Sequence, residues 1–383
     1  MNILYENRNI PKELNQYIEN NTNIHKYFEQ NFQGIKPKNY CGFLNINNQA
    51  YFIAPKILND DNKNLDIFIY MLIYAYDIKL SNEDISNLSN HKHKIFKVFI
   101  RFFTDKLVSE LKKGLYKKYI TKNENLKVLK GKYLIEKNFS NVYHQNIYCE
   151  FDEFSMDNEL NQLFLFAIKT FKKHSNYSNL YKCEAILDEV EYKNIDLKKL
   201  NIHFDRMNKR YKYSFEIAIM ILNKIIPMPN SSDKNSFAFL FDMAEVFEKF
   251  IANVYKSIDS STQTQVQKNF GNLQLKPDII FKNTIIDTKY KKVKNKDDLS
   301  TQDKYQMFVY GTNFEMRDTM LLYPKHIYNI KEDLKLGRDQ QMIELKMRSI
   351  DLDSDLKFDE YIAEIKNRLE GIRWLIMKDI GII

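Results

Sequence analysis

Leu275-Lys276-Pro277-Asp278-Ile279-Ile280-Phe281, then Ile285-Ile286-Asp287-Thr288-Lys289-Tyr290, is the stretch on which the reading of this chain turns. It sets an Asp after a proline and an Asp-x-Lys nine residues further on, across two adjacent runs of strand-like composition. Side chains alternate faces along a strand, so Ile285, Asp287 and Lys289 share one face and Ile286, Thr288 and Tyr290 the other. A carboxylate and an amine therefore stand side by side on a largely apolar sheet. That is costly unless the charges meet a metal, a substrate or each other.

Phosphodiester hydrolysis uses such a set: carboxylates to hold Mg²⁺, a water activated by the metal, and a cation for the extra negative charge on phosphorus. Asp278, Asp287 and Lys289 can supply these roles. Upstream, the run Phe237 to Tyr255 carries a helical apolar stripe of Leu240, Met243, Ala244, Phe247, Ile251 and Val254, within a helix expected at 236–257. At about 100° per residue, Glu248 falls at the edge of that stripe and Glu245 turns toward solvent, so Glu248 is the candidate fourth member. Downstream, Gln306 and Tyr310 are spaced i, i+4 on an expected helix at 299–311 and share a face able to cover the site. The basic run from Lys289 to Lys296, with Lys291 and Lys292 nearest the motif, suits phosphate contacts.

Blander readings stand beside these. A lone Asp-x-Lys in a strand is usually a surface ion pair, and a basic run is usually a solvated loop. His91 and His93 flank Lys92 with no third ligand and read as surface residues. Glu150, Asp152 and Glu153 form another acidic cluster, which reads as a charged approach to a helix start, with Asp157 as its N-cap.

Further out, the hydrophobic periodicity predicts helices at 94–116, 158–174, 214–226 and 359–376, and strands at 273–281, 284–290, 319–323 and 341–350. Residues 40–58 read as a hairpin turning at Asn47-Asn48. The 383 residues favour two domains, and 44% hydrophobic with 28% charged residues describes an ordinary soluble core. The longest uncharged apolar stretch, Ile67 to Tyr76, is about half of the ~20 residues a membrane span needs. With no secretory signal pattern, the expected location is the cytoplasm. Cys41, Cys149 and Cys183 are an odd number without a CxxC pair, which suggests reduced structural thiols. The net charge of +8 suits an anionic partner without identifying one.

On these residues the sequence resembles the PD-(D/E)xK nucleases: Asp278, Asp287-Thr288-Lys289 and Glu248 match their core motif, and Gln306 with Tyr310 matches the QxxxY element of RecB-like members. More narrowly it is similar to the McrC family, the nuclease subunits of McrBC-type modification-dependent restriction systems. Phe241-Asp242-Met243 with Phe247-Glu248, Lys276-Pro277-Asp278, Tyr305-Gln306-Met307, Pro55-Lys56-Ile57, Lys130-Gly131-Lys132 and Cys149 to Phe154 with Asn161 carry that likeness. Lys130 and Lys132 flank the glycine where arginine is expected. Residues 1–40 and those after about 350 match no motif.

The resemblance implies an N-terminal α+β partner-docking domain over 1–150. A C-terminal α/β PD-(D/E)xK-type nuclease domain over 151–383 follows, with a mixed central sheet flanked by helices. It also implies an AAA+ GTPase motor subunit of the McrB type as partner, whose GTP hydrolysis this chain stimulates, and double-stranded, methylated DNA as substrate. Glu248, Asp278 and Asp287 are then the Mg²⁺ ligands, Lys289 the catalytic cation, and Gln306, Tyr310, Lys291 and Lys292 the DNA-positioning residues. No G-x-x-x-x-G-K-[ST] loop is present, which agrees with GTP being bound by the partner. The rivals are an autonomous RecB-like repair exonuclease and a non-catalytic adaptor that activates a GTPase.

Overall fold

The structure is a computed structural model that describes residues 2–47, 49–55, 57, 61–78, 95–141, 145–228, 236–326 and 328–379. His91, Lys92, His93, Lys56 and Asn48 lie outside these. The chain divides into two compact units, residues 1–93 together with 226–383, and residues 94–225. A boundary between 150 and 151 would cut the strand Ile147–Ser155, so the division lies elsewhere than the sequence suggests. The cause is a long-range strand pairing with no local signature: Phe237–Asp242 lies antiparallel on Tyr40–Ile46, with Phe241 opposite Cys41 and Leu240 opposite Gly42. Gly42 is required there. Its φ is +140°, and a Cβ would lie 2.1 Å from the Phe239 carbonyl oxygen.

In the first unit the expected hairpin is present, Tyr40–Ile46 against Gln49–Ala54, and Asn2–Tyr5 adds to it in parallel. The expected helix at 236–257 splits into the strand Phe237–Asp242 and the helix Met243–Ile258. Phe237 to Phe241 is buried throughout, and a short run apolar at every position reads equally as buried helix or buried strand. Asp242 marks the switch, its carboxylate capping the Ala244 amide at 2.9 Å. Ala244, assigned to the buried stripe, is exposed; Val246 and Phe250 are buried. The apolar run near Ile67 lies in a helix, Asp61–Ala75, that packs on Met243–Ile258. Asn253 donates to the Tyr74 and Ala75 carbonyls, satisfying acceptors that a helix end leaves open.

After Met243–Ile258 the chain forms a six-stranded mixed sheet in the order Gln263–Thr264, Ile279–Phe281, Thr284–Thr288, Asp318–Pro324, Ile343–Ile350, Lys331–Leu336. Thr284–Thr288 runs antiparallel to Ile279–Phe281 and parallel to Asp318–Pro324. The intervening helix Thr301–Asn313 contributes Met307 and Tyr310 to a core with Ile285, Leu321, Tyr323, Leu345 and Met347. The run expected as one strand at 273–281 is two, because Leu273–Leu275 leaves the sheet to pair with Lys268–Phe270.

The second unit packs the helices Ile95–Leu111, Glu159–Lys172, Ser178–Ile186 and Lys212–Lys224, with Phe103, Phe164 and Phe171 in ring contact at its centre. The cap of Glu159–Lys172 is Asn158, not Asp157: its side chain accepts from the Asn161 amide at 3.2 Å. Glu150, Asp152 and Glu153 belong to Ile147–Ser155, which pairs antiparallel with Lys118–Leu126, so they line a sheet rather than approach a helix. Gly131 also needs its missing side chain, having φ +71° and the Glu150 carbonyl 2.3 Å from a Cβ. All three cysteines are buried free thiols. No described helix is long and apolar enough to cross a membrane.

Candidate active site

The expected pairing of faces is realised at the end of Thr284–Thr288. Asp287 is almost wholly buried, with 3% of its side chain exposed, and the Lys289 ammonium stands 2.8 Å from its Oδ2. Thr288 turns the other way and reaches Asp278. Its backbone N–H and its hydroxyl donate to Asp278 Oδ2 at 2.8 and 2.9 Å. The pairing of Ile279 with Ile286 is what delivers Asp278 there, one residue beyond the paired strand.

Gln306 ties the group to the crossover helix. Its amide oxygen accepts from Lys289 Nζ at 2.9 Å, while its amide nitrogen donates to Asp287 Oδ1 at 3.2 Å and lies 3.1 Å from the Tyr310 hydroxyl. Tyr310 donates to the Lys276 carbonyl at 3.1 Å. One glutamine thus holds both charges of the Asp-x-Lys pair, and the i, i+4 spacing places Tyr310 behind it. Glu248 accepts from Gln265 Nε2, which is also 3.5 Å from Asp278 Oδ1. Gln265 has φ +56°, a strained backbone for a residue with a side chain, and its N–H donates to the Asp278 carbonyl at 3.0 Å.

One of the two lysines expected to contact DNA has a partner inside the site. Lys291 is ion-paired with Asp303, a buried carboxylate in the first turn of Thr301–Asn313 that also lies 3.7 Å from Lys289. Its ammonium is therefore engaged with a carboxylate of the crossover helix. Lys292 is exposed. Asp303 was findable: Ser300-x-x-Asp303 is a helix-capping pattern, and the Ser300 hydroxyl accepts from the Asp303 amide at 3.1 Å. Gln265 carried no sequence signal, since only the fold brings it to Glu248.

The carboxylates repel one another in a poorly solvated space. Burial, then Asp278 and Asp287, push the Glu248 carboxyl up to about 7. Burial, then Asp278, push Asp287 up to about 6 despite Lys289. Burial also raises Asp278, against the two Thr288 donors. For Lys289, burial works to lower the ammonium, but Asp287, Asp303 and Asp278 outweigh it and the net shift is upward. The amine is a fixed cation. Asp303 moves the opposite way from its neighbours: burial raises it, but the Lys291 and Ser300 hydrogen bonds win and hold it low.

This donor set fits a hard divalent cation. Asp287 Oδ2 is buried without a hydrogen-bond donor, since the Lys289 approach is close but poorly directed. A cation would relieve both that orphaned oxygen and the mutual repulsion. Among the described residues no group of three or more His, Cys, Asp or Glu side chains is placed to hold a metal ion. Mg²⁺ does not need one, because it usually takes one or two carboxylates and completes its shell with water and substrate phosphate.

The family model described as "McrBC 5-methylcytosine restriction system component" matches residues 35–324. Among solved structures, the chain is similar to one in the refined half-complex from the tetradecameric assembly of Thermococcus gammatolerans McrB AAA+ hexamers with bound McrC. The TM-score is 0.58 at 19% identity, covering 97% of this chain and 99% of that one, a likeness of fold. A chain of the Thermococcus gammatolerans McrBC complex aligns with a TM-score of 0.47 and 22% identity, over 66% of this chain and 86% of that one. No curated protein matches.

Proposed function

Because this chain belongs to the McrBC 5-methylcytosine restriction system component family, we propose that it is the DNA-cutting subunit of a modification-dependent restriction complex driven by an AAA+ GTPase partner. The observation that carries this reading is the buried Asp287–Lys289 pair, held by Gln306 beside Asp278. The elements around the mixed sheet support a PD-(D/E)xK-type nuclease: helix Met243–Ile258, strands Gln263–Thr264, Ile279–Phe281 and Thr284–Thr288, helix Thr301–Asn313 and strand Asp318–Pro324, with the hairpin Lys268–Phe270 and Leu273–Leu275 inserted after the first strand. Asp287 lies on the strand Thr284–Thr288, Asp278 one residue before the strand Ile279–Phe281, and Glu248 on the helix Met243–Ile258.

Asp278 and Asp287 would hold Mg²⁺, with Glu248 completing or orienting the set, and the bound ion would supply Lewis acidity and water activation there. Lys289, fixed by Asp287 and Gln306, offers its ammonium to the phosphate oxygen on which negative charge grows. Gln306 spans acid and amine, accepting from Lys289 and donating to Asp287, and so fixes both. Tyr310 holds Gln306. Thr288 keeps one oxygen of Asp278 committed, which leaves the other for the cation. Lys292, exposed and three residues past Lys289, is available for backbone phosphate contact.

A docking role over residues 1–150 draws on parts of both compact units. The apolar residues left exposed on and beside the Lys118–Leu126 sheet, among them Tyr119, Val128, Leu129, Ile135 and Phe139, support placing the GTPase contact there. The test mixes the purified subunits and follows GTP turnover beside cleavage. Mg²⁺-dependent double-strand cutting of methylated DNA, only with partner and GTP, is expected. Efficient cutting of unmodified DNA without nucleotide would make the chain a free-standing nuclease, and GTPase stimulation without any cutting would make it an adaptor.

A further inference from the structure

The N-terminal segment matched no motif, yet it places a carboxylate inside the first unit. Glu6 follows the strand Asn2–Tyr5, its N–H continues the pairing onto the Ala54 carbonyl at 3.2 Å, and it is 2% exposed. One carboxylate oxygen accepts a hydrogen bond from the Tyr290 hydroxyl at 2.8 Å. The other lies 3.9 Å from the Cys41 sulfur, whose thiol burial and the same carboxylate hold well above its ordinary value. Tyr290 is the residue after Lys289 and is 7% exposed. Its ring contacts Phe247, the neighbour of Glu248, at 6.3 Å between centroids, and His326 at 6.4 Å.

Tyr290 therefore joins the two elements that carry the site: it is the residue next to Lys289, and its ring packs on the Phe247 ring of the helix bearing Glu248. The regular ladder ends at Thr288, and beyond it Lys289 N–H makes one further bond, to the Leu322 carbonyl at 2.9 Å. Past that point the chain leaves the sheet, and the next firm attachment is the Tyr290 side chain. A buried carboxylate retained for packing alone would be costly; hydrogen-bonded to a tyrosine, it becomes a directional anchor.

We infer that Glu6 is a positioning residue for the cutting site, which acts through the Tyr290 hydroxyl to fix where Lys289 stands against Asp287. The inference rests on the nuclease reading above, but it concerns geometry that can be measured without cleavage. It gives the N-terminal strand a task at the site some 280 residues away in sequence.

The test uses the full chain and reads Lys289 directly, by mass-spectrometric measurement of how fast a water-soluble acetylating reagent modifies it. In the wild-type chain the ammonium is held by Asp287 and Gln306, so modification is slow. Tyr290→Phe removes only the hydroxyl, and Glu6→Ala removes the anchor. Both are expected to speed acetylation of Lys289 several-fold, with the exposed Lys292 unchanged as the internal control. Glu6→Gln keeps an oxygen able to accept from Tyr290 and should restore the slow rate, which a mere loss of stability would not predict. In the assembled complex the first two variants should lower kcat about tenfold with KM for DNA unchanged, the loss typical of displaced supporting contacts. Unaltered Lys289 acetylation in folded Tyr290→Phe overturns the inference. If Glu6→Ala does not fold, Tyr290→Phe and Glu6→Gln still decide it. If the complex does not cut at all, the nuclease reading fails while the acetylation result continues to judge the anchor.

Discussion

Among the described residues, two acid–lysine clusters on antiparallel strand pairs invite comparison, and they behave oppositely. On Lys118–Leu126 and Ile147–Ser155, Lys122 pairs across the ladder with Glu153, and Thr121 donates to Asp152 at 2.7 Å. These side chains face water, and the Lys122 hydrogen bond holds Glu153 below its ordinary value. On Ile279–Phe281 and Thr284–Thr288, a similar set of residues is enclosed, and its carboxylates rise. Composition is nearly the same in both places. Burial is what differs, and it converts an inert surface pair into a strained group of acids that a cation would relieve.

The comparison breaks most sharply at the lysines. Lys289→Ala should lower cleavage by the assembled complex by about 10²–10³-fold, the scale for removing one preorganised group that stabilises charge in the transition state. Lys122→Ala should leave cleavage within about twofold, as befits an exposed pair. Gel assays of both variants beside each other check this, and equal losses would end the distinction between the clusters.

Proton linkage sharpens it next. The folded values of Asp287 and Glu248, about 6 and about 7, lie above their ordinary 3.8 and 4.5. The folded chain therefore holds protons that the unfolded chain has released. Their contribution to stability is fully present below about pH 4 and is lost as pH rises toward 7. Without Mg²⁺, the Tm of the wild type relative to Asp287→Asn should fall as pH is raised from 4 to 7.5. Protection by added Mg²⁺ should grow over the same range, because the ligands must lose their protons. Calorimetric scans with and without Mg²⁺ at each pH check both signs. For Glu153 the sign reverses: its folded value is lowered, so its contribution is present above its ordinary 4.5 and is lost only as pH falls further. Glu153→Gln should accordingly show no pH-dependent difference from wild type between pH 6 and 7.5.

A smaller effect is expected at Thr288. Thr288→Val removes one of the two donors to Asp278 Oδ2 and keeps the backbone N–H. About 1 kcal/mol for one hydrogen bond corresponds to a roughly fivefold loss of cleavage, with a higher Mg²⁺ requirement. A titration of rate against Mg²⁺ measures it. The smallest is Thr121→Val, which removes the corresponding hydroxyl bond to Asp152 in the exposed cluster and should leave both Tm and cleavage at wild-type values.

Much of the site was legible because its signals are local. The alternation that paired Asp287 with Lys289, the angular position of Glu248 and the i, i+4 spacing of Gln306 and Tyr310 all depend on a few consecutive residues, and each brings its side chain to the same network. The helices at 158–174, 214–226, 299–311 and 359–376 were readable for the same reason. What failed was non-local. Phe237–Asp242 looked helical because nothing in Phe-Ala-Phe-Leu-Phe announces its partner strand about 200 residues earlier. Lys118–Leu126, a polar KYITKNENL, and Lys331–Leu336 form strands mainly because an adjacent strand accepts their hydrogen bonds. The Lys291–Asp303 pair is non-local in the same way, because Asp303 comes to Lys291 only when the crossover helix docks.

By itself, then, the sequence determined which residues could act together within one element and to which family the chain is similar. Periodicity and short motifs are properties of the backbone's own repeat. Tertiary structure alone decided that the chain leaves its first unit at residue 93 and returns at 226, that Gln265 reaches Glu248 and that Glu6 anchors Tyr290. It also decided which of two similar charge clusters loses its water. Solvation and long-range strand pairing depend on what the rest of the chain places nearby, and no window of neighbouring residues contains that information.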